Sequence, residues 1–166
     1  MMYRKAGELA PDFSCPDSGT GAVSRLGALT DAGGETLLVW IKLGCPTCQM
    51  LMPFVERIHQ QLARREDRRV VVVTQDGPTD VPRFRQQFRC ATVPILCEAP
   101  PYAAADQYGI TNTPTLFLLG ADRRVLWSTA GFDRQGLEQL LDRLLGRSAE
   151  LFTADEALAL PAFRPG

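Results

Sequence analysis

Two hydrophobic periods alternate along the chain. Residues 36 to 43, TLLVWIKL, form a nearly unbroken apolar run bounded by Gly33-Gly34 before and Gly44 after. A short run rich in β-branched and aromatic residues reads as a buried strand. From Cys48 the spacing changes, and Leu51, Val55, Ile58 and Leu62 recur every three or four residues, opposite Glu56, Arg57, Gln60 and Arg64. This predicts an amphipathic helix lasting to about Arg65. RVVVV at 69 to 73 reads as a second buried strand, closed by the turn signal Asp76-Gly77-Pro78. Thr79 is placed to cap a helix through Phe88, with Pro82 restricting where it begins. VPILC at 93 to 97 predicts a short strand, and YAAADQYG at 102 to 109 a short helix stopped by Gly109. TLFLL (115 to 119) and RVLWST (124 to 129), joined by Gly120-Ala121-Asp122-Arg123, predict a hairpin. Asp133 then caps a last helix whose Leu137, Leu140, Leu141, Leu144 and Leu145 make one apolar stripe ending at Gly146.

Strands alternating with helices, followed by an antiparallel hairpin and a helix, imply an α/β fold with a central mixed sheet and helices on both faces. Residues 1–146 are expected to form one domain, with 1–35 as its opening segment. Residues 147–166 extend beyond it. Thr153-Ala-Asp-Glu156 in that extension reads as a capping box for a short helix ended by Pro161. The extension is either loosely attached or a packed or partner-contacting segment.

At 166 residues, 45% hydrophobic and 22% charged, the chain suits one globular domain with a full core and needs no disulfide framework. Its net charge of −1 gives no electrostatic reason to expect nucleic acid or an anionic membrane as partner. Arg64, Arg65, Arg68 and Arg69 read as a solvated basic face at a helix end. No apolar stretch near the start resembles a secretory signal and no run reaches transmembrane length, so the expectation is a cytoplasmic protein, or an extracytoplasmic one if the chain is trimmed, and a monomer or weak dimer. Five cysteines, an odd number at irregular spacing, argue against a secreted disulfide scaffold.

The candidate chemistry lies in Cys45-Pro46-Thr47-Cys48, where a buried strand gives way to a helix. A thiol at that point is offered the unpaired N–H groups and positive dipole end of the helix, which stabilise a thiolate. Cys45 is therefore the expected nucleophile. Cys48, one turn on, is more shielded and suited to resolving a mixed disulfide. Pro46 fits the first helical position, where its missing N–H is no loss. A zinc site is the first rival, but Cys15, Cys90 and Cys97 form no second short-spaced pair, and His59, the only histidine, reads as a boundary residue. Two inert buried thiols would leave the strand-to-helix placement unexplained.

Four features in order resemble the thioredoxin superfamily, and within it the TlpA-like and redoxin-type thiol-disulfide oxidoreductases. They are the opening Gly7-Glu-Leu-Ala-Pro11-Asp-Phe13, the Cys45-Pro-Thr-Cys48 turn, Pro53 five residues later, and Thr113-Pro114-Thr115 before the TLFLL strand. The resemblance covers residues 7 to about 146. It implies a thioredoxin-like fold in which Pro114 is a cis-proline beside the cysteine pair. It also implies that the backbone of Thr113 pairs with an extended substrate segment, and that Gly44, Pro46 and Thr47 complete the surround. A proline at a strand start loses no ladder hydrogen bond, and the cis form is accessible there.

This sequence departs from the family pattern in several places. The buried acid that many members carry six residues before the first cysteine is Val39 here, and the glutamate often found three residues after the second is Leu51. Neither can move the proton of the resolving thiol. Lys42 is an electrostatic substitute or simply a strand-end lysine with its head in solvent. Gly44 replaces the usual tryptophan and leaves the surface beside the nucleophile barer.

A peroxidase with Cys45 peroxidatic is the second enzyme reading. It wants Thr or Ser where Lys42 stands. A third is a non-catalytic interaction module. Cys90 and Cys97 are separated by a predicted strand and are not expected to bridge. Cys97 is expected to be buried and inert, and Cys15 exposed. The favoured reading is exchange of thiols and disulfides with a protein substrate through Cys45 and Cys48. It requires a thiol electron donor or acceptor, and no metal or organic cofactor.

Overall fold

The computed structural model describes residues 2–166. Its five-stranded sheet is built from β3 (Glu35–Ile41), β4 (Arg68–Thr74), β5 (Ile95–Cys97), β6 (Thr115–Leu119) and β7 (Val125–Ala130). They lie in the order β5-β4-β3-β6-β7. The β5-β4-β3 side is parallel, as crossover helices require, and β6 and β7 run antiparallel to their neighbours. Before the sheet come the hairpin strands β1 (Ser14–Pro16) and β2 (Val23–Arg25) and helix α1 (Leu26–Asp31). The crossovers are α2 (Pro46–Gln61) between β3 and β4, α3 (Val81–Gln87) between β4 and β5, and α4 (Ala103–Tyr108) between β5 and β6. After β7 come β8 (Phe132–Asp133), α5 (Arg134–Leu145), α6 (Ala154–Ala159) and β9 (Phe163–Arg164).

Alternation along β3 explains why its sequence is apolar throughout. Leu37, Val39 and Ile41 face one core with Leu51, Val55 and Ile58 of α2 and Leu137, Leu141 and Leu144 of α5. Leu38 and Trp40 face a second core with Leu26, Tyr108 and Phe117. Each face must be covered, so the strand has no polar side to show. Burying each such side chain stabilises the fold by about 1.5–3 kcal/mol. The second core is an aromatic cluster in which Trp40 and Tyr108 have ring centroids 4.6 Å apart.

Several expectations are corrected here. Glu56 does not sit on the solvent face of α2. It is 3% exposed and accepts hydrogen bonds from the Val93 amide at 2.9 Å, the Thr92 amide, the Thr92 hydroxyl and the Gln60 side chain. The arginine cluster is not simply a solvated face. Arg69 donates to the carbonyls of Leu29 and Gly33, Arg65 to that of Leu145, and Arg68 pairs with Glu35 and Asp67. Arginine has enough donors to satisfy loop carbonyls that no secondary structure reaches. Cys15 is buried rather than exposed, because β1 folds back beside β5. Helix α2 starts at Pro46 and ends four residues before Arg65. Thr79 lies in a single 3₁₀ turn, Pro78–Asp80, and caps nothing. The opening segment carries a hairpin and a helix that its mixed pattern does not announce.

The extension is docked. Thr153 and Glu156 form the expected capping box, and α6 ends before Pro161. Leu151 and Phe152 are buried, with the Phe152 ring 4.6 Å from Phe54. The Arg57 guanidinium grips the Glu156 carboxylate with two hydrogen bonds of 2.6 and 2.7 Å. Strand β9 then pairs antiparallel with β8, opposing Phe132 to Arg164 and Asp133 to Phe163. No helix among the described residues is long and apolar enough to cross a membrane.

Candidate functional site

The end of β3 and the start of α2 meet at Cys45, which is the N-cap of the helix in extended backbone conformation. Its Sγ accepts from the Cys48 N–H at 3.3 Å, so sulfur replaces the oxygen that usually satisfies a first-turn donor. Pro46 occupies the first helical position, as its ring geometry favours. The approach is clamped from two sides. The Leu43 N–H donates to Asp76 Oδ2 at 2.8 Å, and Gln49 Nε2 donates to the Leu43 carbonyl at the same distance. Thr74 Oγ1 donates to the same carboxylate oxygen at 2.7 Å. In the sequence Asp76 signals only a turn, and Gln49 carries no signal at all. Asp76 becomes visible once β3 and β4 are known to be parallel with Ile41 beside Thr74, which brings the ends of both strands together.

The two thiols are free and differ sharply. Cys45 is partly exposed and Cys48 fully buried. Burial pushes the Cys45 thiol up, but hydrogen bonds from the Cys48 thiol, the Cys48 amide, the Thr113 hydroxyl and the Thr47 amide outweigh it and leave the group below its ordinary value. The opposing contact is the S–H donated to the Thr113 carbonyl, 3.1 Å away, which favours the protonated form. Burial pushes Cys48 far up, and the neighbouring Cys45 sulfur adds to this, against a hydrogen bond with the Lys42 backbone. Val39 and Leu51, the two positions where an acid is missing, are fully buried.

Around the sulfur the chain gathers Thr113 and Pro114, whose connecting peptide is cis. Thr47 is buried, and its hydroxyl donates to the Pro165 carbonyl at 2.8 Å. Gly44 is exposed, with nothing within 4 Å of where a Cβ would stand, so the bare surface expected there is present. Lys42 is exposed and reaches the site through its backbone carbonyl, which accepts the Cys45 N–H at 3.1 Å. A cavity of about 260 Å³ lined by Leu43, Gly44, Asp76 and Arg83 flanks one side of the turn, and one of about 170 Å³ lined by Lys42, Gln75, Asn112 and Thr113 the other.

Cys15 and Cys90 are pushed up to about 11 by burial, and burial raises Cys97 as well. Among the described residues no cluster of three or more histidine, cysteine or carboxylate side chains is placed to hold a metal.

The redoxin family model matches residues 5–144, a span that runs from before β1 to the last turn of α5. The chain belongs to the redoxin family. Among its relatives is the methylamine utilization protein MauD of Paracoccus denitrificans, 33% identical over 136 residues. That match covers 82% of this redoxin and 64% of MauD, so the chain spans less than two thirds of the relative's length. A Chlorobium tepidum structure assigned as thiol:disulfide interchange protein DsbE superposes with a TM-score of 0.73 at 25% identity, covering 87% of this chain and 98% of that one. Peroxidoxin BcpB of Mycobacterium tuberculosis gives 0.71 at 21% identity, covering 87% and 97%, and shares the fold. The thioredoxin-like fold and membership of the redoxin family are thereby established.

Proposed function

We propose that this redoxin exchanges thiols and disulfides with protein substrates through Cys45 and Cys48, without metal or organic cofactor. The reading is carried by one observation: Cys45 Sγ caps the first turn of α2, partly exposed, while Cys48 stands buried one turn behind. In the reducing direction the Cys45 thiolate attacks one sulfur of a substrate disulfide. That S–S bond breaks, the leaving sulfur takes up a proton, and a mixed disulfide joins protein and substrate. Cys48 then gives up its proton and attacks Cys45 Sγ. A Cys45–Cys48 disulfide forms, the second substrate thiol departs, and two electrons have passed to the substrate. The same steps reversed oxidise a dithiol, and the direction follows from the potential of the pair.

Cys48 is the harder thiol to ionise, and no carboxylate stands at Val39 or Leu51 to accept its proton. Water entering beside Cys45 is the acceptor in this scheme, and resolution is the slow step. The roles of Thr113, Pro114, Thr47, Gly44 and Pro46 are to shape the groove the substrate enters, while Lys42 contributes its backbone.

An equilibrium titration against reduced and oxidised glutathione tests the proposal. Cysteine modification should report a two-electron transition confined to Cys45 and Cys48. A pair that stays reduced or oxidised across the whole range would leave an interaction module. Hydrogen peroxide consumed by Cys48→Ser but not by Cys45→Ser would instead make the protein a peroxidase.

A further inference from the structure

The tail beyond α6 lies against Thr47 and Thr113, which flank Cys45. Strand β9 pairs with β8, the Pro165 carbonyl accepts the Thr47 hydroxyl at 2.8 Å, and Gly166 rests against the backbone N, C and O of Thr113. Two glycines make the close approach feasible. A methyl group at Gly166 would overlap the Thr113 carbonyl, and one at Gly131, whose φ is +95°, would collide with the Arg164 carbonyl. Thr113 also holds the Cys45 thiol through its carbonyl. An extended peptide therefore already sits on the backbone that flanks the nucleophile.

We infer that Phe163–Gly166 is an intramolecular occupant of the substrate groove, which an extended protein segment must displace before it can reach Cys45. The inference rests on the exchange function proposed above. The lead-in to the tail is firmly anchored: the Arg134 N–H donates to the Ala162 carbonyl at 3.0 Å, and its guanidinium donates to the carbonyls of Ala157 and Leu160. Beyond Ala162 the hold is light. Residues 163–166 are all exposed, Phe163 by 55%, and Thr47 supplies their one side-chain hydrogen bond. Firm anchoring keeps the local concentration of the occupant high, and light contacts let a better ligand win. The fitting partner is an unfolded or loop segment in extended conformation that adds a strand to β8 and offers a carbonyl to Thr47.

The test compares the parent chain with a deletion of residues 163–166 and with Gly166→Val, which keeps the length but cannot sit against Thr113. Ala162 and everything before it remain, so the anchors are intact. Both variants should exchange with a protein disulfide roughly two- to tenfold faster, the population shift expected from losing about one net hydrogen bond's worth of occupancy. A small disulfide such as hydroxyethyl disulfide should gain less. The synthetic peptide PAFRPG added to the deletion variant should slow it again and shift the Thr47 and Thr113 amide resonances back toward the parent's. Unchanged protein-disulfide rates together with unmoved Thr113 resonances would overturn the inference. If no variant exchanges disulfides yet deletion moves those resonances and the peptide restores them, the proposed function has failed and the occupied groove stands.

Discussion

Two stretches of α2 treat sulfur and oxygen in opposite ways. At the first turn the Cys45 sulfur lies 3.3 Å from the Cys48 amide and 3.1 Å from the Thr113 carbonyl, and one side stays open. Two turns on, the Glu56 carboxylate is buried and accepts from Thr92, Val93 and Gln60. A carboxylate so fully satisfied has no capacity left for chemistry and serves to tie α2 to the segment leading into β5. A sulfur left partly exposed keeps a lone pair available. The Glu56 stretch anchors the helix in the fold, while the first turn leaves one sulfur open.

The contrast breaks most visibly at the cysteines. Cys45→Ser should reduce disulfide exchange to background, whereas Cys48→Ser should still make the first attack and accumulate a mixed disulfide, seen by mass spectrometry as one substrate adduct per chain. Removing the supporting end comes next. Glu56→Ala leaves the buried Val93 amide and the part-buried Thr92 amide without their partner and should lower unfolding free energy by about 3 kcal/mol in denaturant titration. Iodoacetamide labelling of Cys45 under native conditions should change less than about twofold, since the change reaches folding before chemistry.

Glu56 also sets a pH signature. Burial raises its carboxyl, but hydrogen bonds from Thr92, Val93 and Gln60 more than offset this and hold it below the ordinary value. Its folded pKa is thus below its unfolded one, so its contribution is complete above the unfolded value and is lost as pH falls through the folded value. Glu56→Gln should flatten that acidic limb of the stability profile. A smaller effect belongs to Asp76→Ala, which frees the Leu43 N–H and should cost about 1–2 kcal/mol. Asp76→Asn, retaining one acceptor, should recover most of it. The smallest belongs to Lys42→Ala, which should move the pH midpoint of Cys45 labelling by less than about 0.5 unit, the scale of an exposed charge. A larger shift would make the lysine head an electrostatic partner of the sulfur and blur the contrast.

How much of this was legible depended on how local each signal was. Strand β6 falls on residues 115–119 as its apolar run suggests, and Asp133 and Thr153 cap α5 and α6, because caps and short buried runs are written in adjacent residues. The placement of Cys45 at the head of α2 was equally plain, because one strand end and one helix start adjoin in the sequence. What stayed hidden came from distant neighbours. Glu56 falls on the polar side of a helical wheel, yet the 91–94 loop covers that side. Glu98 gives no pattern signal, yet it accepts from the Ala104 and Ala105 amides at 2.8 and 3.0 Å and caps α4 from outside. Pro165 and Thr47 are 118 residues apart, and no spacing rule reaches across that distance.

The burial of Cys15, Cys48, Cys90 and Cys97 behind one accessible sulfur has a practical outcome. A folded sample offered a maleimide dye should gain a single fluorophore despite its five cysteines, with no engineered background needed. Emission from that reporter would follow groove occupancy in real time.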